Sequence, residues 1–375
     1  MRIKRLYLLF LLGVFVVSAQ EDIIEIGQLP NALTESSGLL FYNGKLITHN
    51  DSGNEALLHE IDTVSLAITR TIRIANATNV DWEDITQDEN YIYIGDFGNF
   101  NGDRQDLVIY RILKTAYDAN TSVMADRIDF SYQDQTNFDR APNSNWDAEA
   151  LFHYNDQLVL LTKQWQGNGT VVYSIPKLPG NHIAQPMEEY DSRGLVTGAT
   201  FDPLGETLFL IGYTSLLQGF LIEVKGLTTT SIFGGTTERT NLNLGTIQVE
   251  ALAAIGDGRY FFSSEFFSNS NFNITSPSRL FAFNAILEIE MPPENEEEQF
   301  LIFTSPNSQT LEYELQTTSE ILGRAIFDSS GKMVEFALPN QITANTIAIS
   351  ALSTGIYYLT FYLRSGIISK GFARY

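Results

Sequence analysis

The sequence contains no cysteine and few basic residues. Among 375 residues it has 23 Lys and Arg against 45 Asp and Glu, which gives a formal net charge of −22. Without cysteine, the fold has neither disulfide crosslinks nor thiolate metal ligands. A charge this negative opposes contact with phosphate backbones, so we expect no nucleic-acid partner. Cations, metal ions and uncharged sugars suit the surface better.

Long apolar runs are scarce as well, and the one present lies at the N-terminus. A basic start at residues 2–5 precedes an apolar run over residues 6–17 and the small residues Ser18 and Ala19. This order predicts a secretory signal peptide over residues 1–19, cleaved before Gln20. The run is shorter than the ~20 residues that a membrane-spanning helix needs, which disfavours a membrane anchor. We therefore expect no transmembrane span in the mature chain.

Familiar catalytic motifs are also missing from the sequence. It has no Gly-x-Ser-x-Gly elbow, no His-Glu-x-x-His helix, no Walker loop and no Cys/His zinc spacing. Common hydrolases and nucleotide enzymes are therefore unsupported. Ser52 lies near His49, but sequence proximity is poor evidence for a catalytic triad. The catalytic residues stay unknown, and the sequence leaves open whether the protein is an enzyme.

What the sequence does contain is a recurring acidic-small-apolar step, clearest in the segment NWDAEALF at residues 145–152. Similar steps recur at intervals of about 50 residues, the size of one four-stranded propeller blade. The equivalent positions are Ser37, Glu83, Glu149, Thr197 and Glu250. Short apolar runs separated by Gly, Asn, Asp and Pro follow each step, as in consecutive antiparallel strands. In the fourth repeat the last of these strands is expected near Ser231. We predict an all-β fold in which residues 20–287 form a β-propeller of five blades.

Two features of this repeat concern the number of blades and the closure of the ring. The interval after Glu83 is the longest, so a degenerate sixth blade stays open. The fifth repeat offers only three strands, and the stretch from Ile23 to Leu29 is free to supply the fourth. Pairing the first strand with the last blade would remove an open sheet edge.

The composition changes after residue 287. Residues 288–298 carry two prolines and clustered glutamates, which predicts an acidic linker. Residues 299–375 return to strand-like runs. They contain Asp328-Ser-Ser-Gly-Lys332, a hairpin turn, then Leu352-Ser-Thr-Gly-Ile-Tyr-Tyr-Leu359, a turn into a core strand, and finally Lys370.

This ordered combination resembles the C-terminal sorting domain of type IX secretion cargo. The resemblance implies a small C-terminal β-sandwich recognised by the type IX secretion machinery. It further implies a protein that is secreted or held at the outer-membrane surface of a Gram-negative bacterium. The alternative is a generic immunoglobulin-like binding module.

The propeller geometry predicts where functional side chains should meet. Loops that enter the inner strands share a face with loops that leave the second strands. Oxygen-rich groups gathered there suit Ca²⁺, a hard cation with six to eight oxygen ligands. The predicted calcium ligands are Glu83, Glu149, Glu250, Asp96 and Asn50, and the predicted ligand-binding residues are His49, Asp51, Asp84, Asn99, Lys163, Tyr213 and Glu265. A glutamate at a blade start can instead bond backbone amides of the neighbouring blade, and the loops at Asn50 and Asp96 can be plain turns.

The glutamate-bearing blade starts resemble those of calcium-dependent lactonase and esterase-like phytase propellers. That resemblance implies axial carboxylates and amides that hold Ca²⁺, which polarises an ester or phosphate oxygen. The matching residues here are Glu83, Glu149 and Glu250, with Asn50 or Asp96. We therefore expect a secreted propeller with an acidic axial site, suited to calcium-dependent hydrolysis of an ester or phosphoester.

The rival expectation is a non-catalytic surface propeller that binds a glycan or a protein. In that case aromatic rings serve as binding platforms, namely those of Trp82, Trp146, Trp165 and Phe266. Exposure of the rings favours this alternative, whereas convergence of the carboxylates favours the calcium site. The sequence leaves open which small molecule, glycan or protein is the ligand.

Overall fold

Strands make up nearly all of the regular structure in the computed structural model. The model describes residues 23–256, 258–269, 274–285, 299–303, 309–328 and 332–374. The predicted signal peptide and the predicted linker lie outside these residues. Within them there is one α-helix, Lys114–Ala119, and there are two 3₁₀ turns, Asn31–Leu33 and Pro339–Gln341. Among the described residues, every helix is too short or too polar to cross a bilayer.

The described residues from 23 to 285 contain five antiparallel sheets of four principal strands, here called blades 1 to 5 and written from the innermost strand outwards. Blade 1 consists of Ser36–Tyr42, Lys45–Asn50, Leu57–Ile61 and Ile68–Ile74. Blade 2 consists of Trp82–Gln87, Tyr91–Asp96, Val108–Leu113 and Asp126–Tyr132. Blade 3 consists of Ala148–Tyr154, Gln157–Thr162, Thr170–Pro176 and Gly180–Tyr190. Blade 4 consists of Leu195–Asp202, Thr207–Tyr213, Gln218–Lys225 and Thr236–Thr246. Blade 5 consists of Val249–Gly256, Arg259–Ser264, Arg279–Asn284 and Ile24–Gln28.

The five blades form a closed ring. Each innermost strand contacts the innermost strands of the blades before and after it, and blade 5 returns to blade 1. Five buried apolar clusters fill the spaces between neighbouring blades. Each sheet thus buries both faces, which explains why the second strands are continuous apolar runs rather than alternating ones. The predicted β-propeller is confirmed.

Blade 5 joins the two ends of the ring. Its outermost strand is Ile24–Gln28, which pairs antiparallel with Arg279–Asn284, for example Glu25 with Phe281. This confirms the prediction that the N-terminal stretch completes the last blade. The open edge that a three-stranded fifth blade would present is covered in this way.

The long interval after Glu83 holds peripheral elements and no sixth blade; every residue from 83 to 149 is described. The helix Lys114–Ala119 is followed by the short strand Ser122–Val123, which pairs in parallel with the outer strand of blade 1. The outer strands of blades 2 and 3 also pair in parallel, which merges these two blades into one eight-stranded sheet. The extra residues therefore link the outer strands of neighbouring blades.

One predicted strand is displaced. The sequence suggested a strand of blade 4 near Ser231, but the outer strand begins at Thr236. The carboxylate of Glu188 accepts hydrogen bonds from the backbone N–H groups of Ile232 and Phe233, at 2.8 and 3.0 Å. These amides are therefore occupied by a side chain of blade 3 and are not available for a sheet.

The C-terminal region is a β-sandwich of two sheets around one apolar core. One sheet contains Gln299–Phe303, Thr310–Gln316 and Thr346–Ala348. The other contains Met333–Ala337, Ile321–Asp328, Gly355–Leu363 and Gly366–Arg374. Asp328 closes the predicted hairpin, because its N–H donates to the carbonyl of Lys332 at 2.9 Å and its Oδ1 accepts the N–H of Lys332 at 3.1 Å. The predicted β-sandwich is confirmed.

Candidate functional site

A β-bulge interrupts the pairing of every innermost strand at the same place. The register shifts occur at Ser37, Glu83, Glu149, Thr197 and Glu250, or at these residues and the next one. A bulge leaves one residue unpaired and changes the direction of its side chain. The equivalent positions of the sequence repeat are thus the bulge positions. The three glutamates at these bulges are almost fully buried.

The two uncharged residues at the bulges tie neighbouring blades together. The hydroxyl of Ser37 donates to the carbonyl of Glu83 at 2.5 Å, and the hydroxyl of Thr197 donates to the carbonyl of Val249 at 2.6 Å. These bonds join blade 1 to blade 2 and blade 4 to blade 5.

Asp84 joins the inner strands of blades 2, 3 and 4. Its carboxylate accepts backbone N–H bonds from Leu151 of blade 3 at 2.8 Å, Ala199 of blade 4 at 3.3 Å and its own neighbour Ile85 at 2.8 Å. It is completely buried. The backbone bonding considered for the blade-start glutamates is therefore made by the residue that follows Glu83.

Three carboxylates of blades 1 and 2 converge on the axis and are called the three-carboxylate cluster. One oxygen from each of Asp51, Asp81 and Glu83 lies within 4.8 Å of the others. Asp51 follows the second strand of blade 1, while Asp81 and Glu83 lie at the start of the inner strand of blade 2. Among the described residues, no side chain or backbone group donates a hydrogen bond to the carboxylate of Glu83. Gly98 lies against it, and a Cβ on Gly98 would overlap both Glu83 Oε1 and Asp81 Oδ2.

Burial and mutual repulsion raise the pKa values of the three carboxylates in this cluster. Burial, and then the charges of neighbouring carboxylates, raise the pKa of Asp81 to about 7. Burial is also the main cause that raises the pKa of Asp51 to about 7. The pKa of Glu83 lies well above its usual value because of burial and the charge of Glu149. Such a site favours protons or a cation.

A second group of carboxylates surrounds Lys163 and is called the lysine cluster. Its members are Asp147, Glu149, Lys163 and Glu250, and the two clusters together are called the axial pocket. Lys163 Nζ lies 3.1 Å from Glu149 Oε2. It also lies 4.8 Å from the ring centre of Trp165 and 5.3 Å from that of Tyr213. Burial lowers the pKa of Lys163, but the charge of Glu149 and of other neighbours outweighs it, so the pKa lies well above its usual value.

Asp147 connects the lysine cluster to the loop after the second strand of blade 2. Its Oδ1 accepts the backbone N–H of Asn99 at 2.6 Å, and its Oδ2 accepts the indole N–H of Trp165 at 2.7 Å. Asn99 Oδ1 in turn accepts the backbone N–H of Arg104 at 3.0 Å. The buried Asn99 Nδ2 has no partner among the described residues.

Asp96, Asn50 and His49 are held by contacts with neighbouring groups. Asp96 forms an ion pair with Arg104 at 2.9 Å, and its carboxylate accepts the N–H of Asp81 at 3.1 Å, so it positions Asp81. Asn50 donates through Nδ2 to the carbonyl of Ala32 at 2.8 Å. His49 is buried edge-on against Trp82, and burial lowers its pKa to about 4. These residues lie outside the three-carboxylate cluster.

Glu265 and Tyr213 accept hydrogen bonds from the same side chain. Gln248 Nε2 donates to Glu265 Oε1 at 2.7 Å and to the hydroxyl of Tyr213 at 3.4 Å. Burial raises the pKa of Glu265 to about 7.

Sequence reasoning did not select Asp81 or Asp147 as site residues. Each precedes a bulge glutamate by two residues, in Asp81-Trp-Glu83 and Asp147-Ala-Glu149. This shared Asp-x-Glu spacing was the available signal. Arg104 had no comparable signal, because nothing local indicates that its loop folds back onto Asp96.

Comparison with known proteins identifies the C-terminal region. A family model described as a secretion system C-terminal sorting domain matches residues 301–372. The predicted type IX sorting domain is therefore confirmed, and the protein is secreted or displayed at the cell surface. No curated protein matches the chain.

Solved structures share only distant similarity with the chain. The PQQ-bound aldose sugar dehydrogenase of Streptomyces coelicolor is 10% identical, with a TM-score of 0.40 over 71% of this chain and 98% of that one. Hydrazine synthase of Kuenenia stuttgartiensis is 9% identical, with a TM-score of 0.36 over 89% of this chain and 78% of that one. PorZ, a surface component of the type IX secretion system of Porphyromonas gingivalis, is 10% identical, with a TM-score of 0.33 over 90% of this chain and 44% of that one. No site residue is transferred from these proteins.

Proposed function

We propose that the axial pocket binds a calcium ion through Asp51, Asp81 and Glu83, and that the secreted propeller uses this site to act on an ester or a phosphoester. The observation that carries the proposal is the three-carboxylate cluster, whose oxygens lie within 4.8 Å of one another. Burying carboxylates without partners is costly, and Glu83 has no donor among the described residues. A hard cation with oxygen ligands removes that cost.

The chain's own residues are arranged to hold such an ion. Asp51 approaches from blade 1, and Asp81 and Glu83 approach from blade 2. The Arg104–Asp96 ion pair fixes the backbone of Asp81, and Gly98 leaves the space that the two carboxylates of blade 2 occupy. When bound, calcium would polarise an ester or phosphoester oxygen as a Lewis acid.

One further group suits proton transfer. Glu265 has a pKa of about 7 and stands outside the three proposed ligands. A carboxylate with a pKa near the working pH is an efficient general base. Glu265 is held by Gln248 at 2.7 Å, so its orientation is defined. The charge of Glu265 acts on the carboxylate of Asp51, so Glu265 is the group that we propose to activate water beside the ion.

The alternative of an aromatic binding platform has less support. Trp82 is fully buried, and the indole N–H groups of Trp146 and Trp165 donate to Asp134 and Asp147, at 3.4 and 2.7 Å. Lys163 covers the Trp165 ring. Phe266 is the one ring of the four proposed that is largely exposed. The other three rings serve the fold, so the carboxylates remain the stronger candidate.

Calorimetric titration with calcium tests the proposed site. We expect the wild-type protein to bind calcium and Glu83→Gln to lower the affinity about tenfold or more, because the ligand loses its charge. Glu223→Gln is the matched control, since Glu223 pairs with Lys225 on a different part of the propeller. A wild-type protein that binds no calcium would contradict the proposal.

Hydrolysis is tested separately with chromogenic uncharged esters and phosphoesters, with calcium and with chelator. We expect turnover that needs calcium and is lost in Glu83→Gln. Calcium binding without turnover of either ester class would favour the non-catalytic alternative.

A further inference from the structure

The sorting domain exposes one edge strand whose outward side chains are apolar. Gln299–Phe303 is the first strand of its sheet and pairs on one side only, with Thr310–Gln316. Phe300 is buried in the core of the sandwich, whereas Leu301 and Phe303 on the opposite face are 40% and 51% exposed. An unpaired edge with apolar side chains is a template for pairing with another strand. This strand is called the apolar edge.

The other edge strands of the domain are better protected against such pairing. One of them has only three residues. Met333–Ala337 carries Glu335, and Gly366–Arg374 carries Lys370, whose Nζ donates to the carbonyl of Phe300 at 2.8 Å and so covers one end of the apolar edge. Short length and charged side chains are usual means by which proteins block an edge. Among the described strands of the domain, the apolar edge is the long edge strand without a charged residue.

Acidic side chains lie beside the apolar edge. Glu314 is the partner of Leu301 on the neighbouring strand. Glu312 is the partner of Phe303, and both glutamates are exposed. Among the described residues, neither glutamate forms an ion pair. Cross-strand partners share one face of the sheet, so a partner strand with basic side chains would complement this face.

We propose that the type IX secretion machinery binds the sorting domain at the apolar edge, through an extended segment with apolar and basic side chains that adds a strand to the sheet. In this mode of binding, main-chain hydrogen bonds supply affinity and alternate side chains supply specificity. A second copy of the chain fits less well, because it has a net charge of −22 and would bring its own Glu312 and Glu314 to the contact. The predicted linker at residues 288–298 is acidic as well. The proposal is independent of the axial pocket and of calcium.

Delivery to the cell surface tests the proposal in a host with type IX secretion. We expect the full-length chain with Leu301→Lys and Phe303→Lys to reach the surface about tenfold less than the wild type, because the edge becomes charged and repels a basic partner. The matched control carries Val334→Lys and Ile367→Lys, which change exposed apolar residues on the other two long edge strands. It should be delivered as the wild type is. Cell fractionation measures delivery, and chemical denaturation of the purified proteins measures folding.

A third variant tests the charge of the partner. Glu312→Gln with Glu314→Gln keeps the size of both side chains and removes their charge. We expect reduced delivery of a protein whose stability is unchanged, since exposed carboxylates contribute little to folding. Delivery equal to that of the wild type would overturn the basic character of the partner.

Photo-crosslinking identifies the occupant directly and does not depend on a loss of delivery. A benzoylphenylalanine in place of Phe303 keeps an aromatic ring at the edge, and the same group in place of Val334 is the control. We expect a covalent adduct with a component of the secretion machinery from the first position and not from the second, identified by mass spectrometry. An adduct between two copies of the chain, or no adduct from the first position, would overturn the proposal. Normal delivery of a folded Leu301→Lys, Phe303→Lys variant would also overturn it, and if that variant does not fold, the crosslink decides.

Discussion

Gly98 of the loop after the second strand of blade 2 lies directly against the carboxylate of Glu83, where no side chain can fit. Its φ is not positive, so glycine is needed here because there is no room for a Cβ, and not because of the backbone conformation. We expect Gly98→Ala to push the carboxylates of Glu83 and Asp81 apart and to weaken calcium binding about tenfold or more. The measurement is calorimetric titration.

Gly167→Ala is the control for this substitution, because a Cβ there would meet only Gln164, at 3.9 Å. It should bind calcium as the wild type does. Equal affinities for the two variants would show that the space beside Glu83 is unimportant.

Protons and calcium should compete for the three-carboxylate cluster. Asp51 and Asp81 have pKa values of about 7 in the folded protein against 3.8 ordinarily. Between about pH 4 and 7 the folded protein therefore holds protons that the unfolded chain has released. The contribution of these two carboxylates to stability without calcium should therefore fall as the pH rises through this range.

Calcium affinity should change in the opposite direction and rise with pH as Asp51 and Asp81 lose their protons. Melting curves in chelator and titrations from pH 5 to 8 measure the two effects. A calcium affinity that is constant over this range would contradict the assignment of these two ligands.

Asp84 should matter for stability and not for calcium. Asp84→Ala leaves the N–H groups of Ile85, Leu151 and Ala199 without this acceptor. Three buried unsatisfied donors cost about 3–9 kcal/mol of unfolding free energy. Chemical denaturation measures the loss, and Asp84→Asn, which keeps one acceptor oxygen, should lose less. A change in the number of calcium ions bound by a folded Asp84 variant would contradict this structural role.

The sorting domain should be needed for export and not for the propeller. Deletion of residues 299–375 removes the β-sandwich and its separate core, so the five interblade cores stay intact. We expect the shortened protein to fold and to remain in the periplasm of a host with type IX secretion. Cell fractionation measures its location, and normal delivery to the surface would contradict the role of the domain.

Much of the architecture could be predicted because its signals are local. Alternating and apolar runs, turn residues and the repeated step predicted the five blades and the pairing of Ile24–Gln28 with the last blade. Such patterns arise wherever neighbouring residues of one strand share a face. The strand expected near Ser231 failed because Glu188, which is distant in sequence, binds the amides of that segment.

The site was harder to predict than the fold. Glu83, Glu149 and Glu250 do share one position in their blades, as the spacing indicated. The sequence could not show that Lys163 pairs with Glu149 while no group of the described residues donates a hydrogen bond to the carboxylate of Glu83. Nor could it show that Arg104 would take Asp96 as an ion-pair partner. Both outcomes depend on how blades and loops face each other across the axis.

The side chains at the bulges of the innermost strands determine which chemical groups lie inside the ring. Each blade contributes one such position, occupied here by Ser37, Glu83, Glu149, Thr197 and Glu250. The side chains at these positions differ in charge and size, while the backbone around them is the same. At Ser37 and Thr197 a substitution removes a hydrogen bond between two blades, so these two positions are tied to the stability of the ring. At Glu83, Glu149 and Glu250 a substitution changes the charge inside the ring, so the scaffold can acquire a different binding site at these three positions one residue at a time.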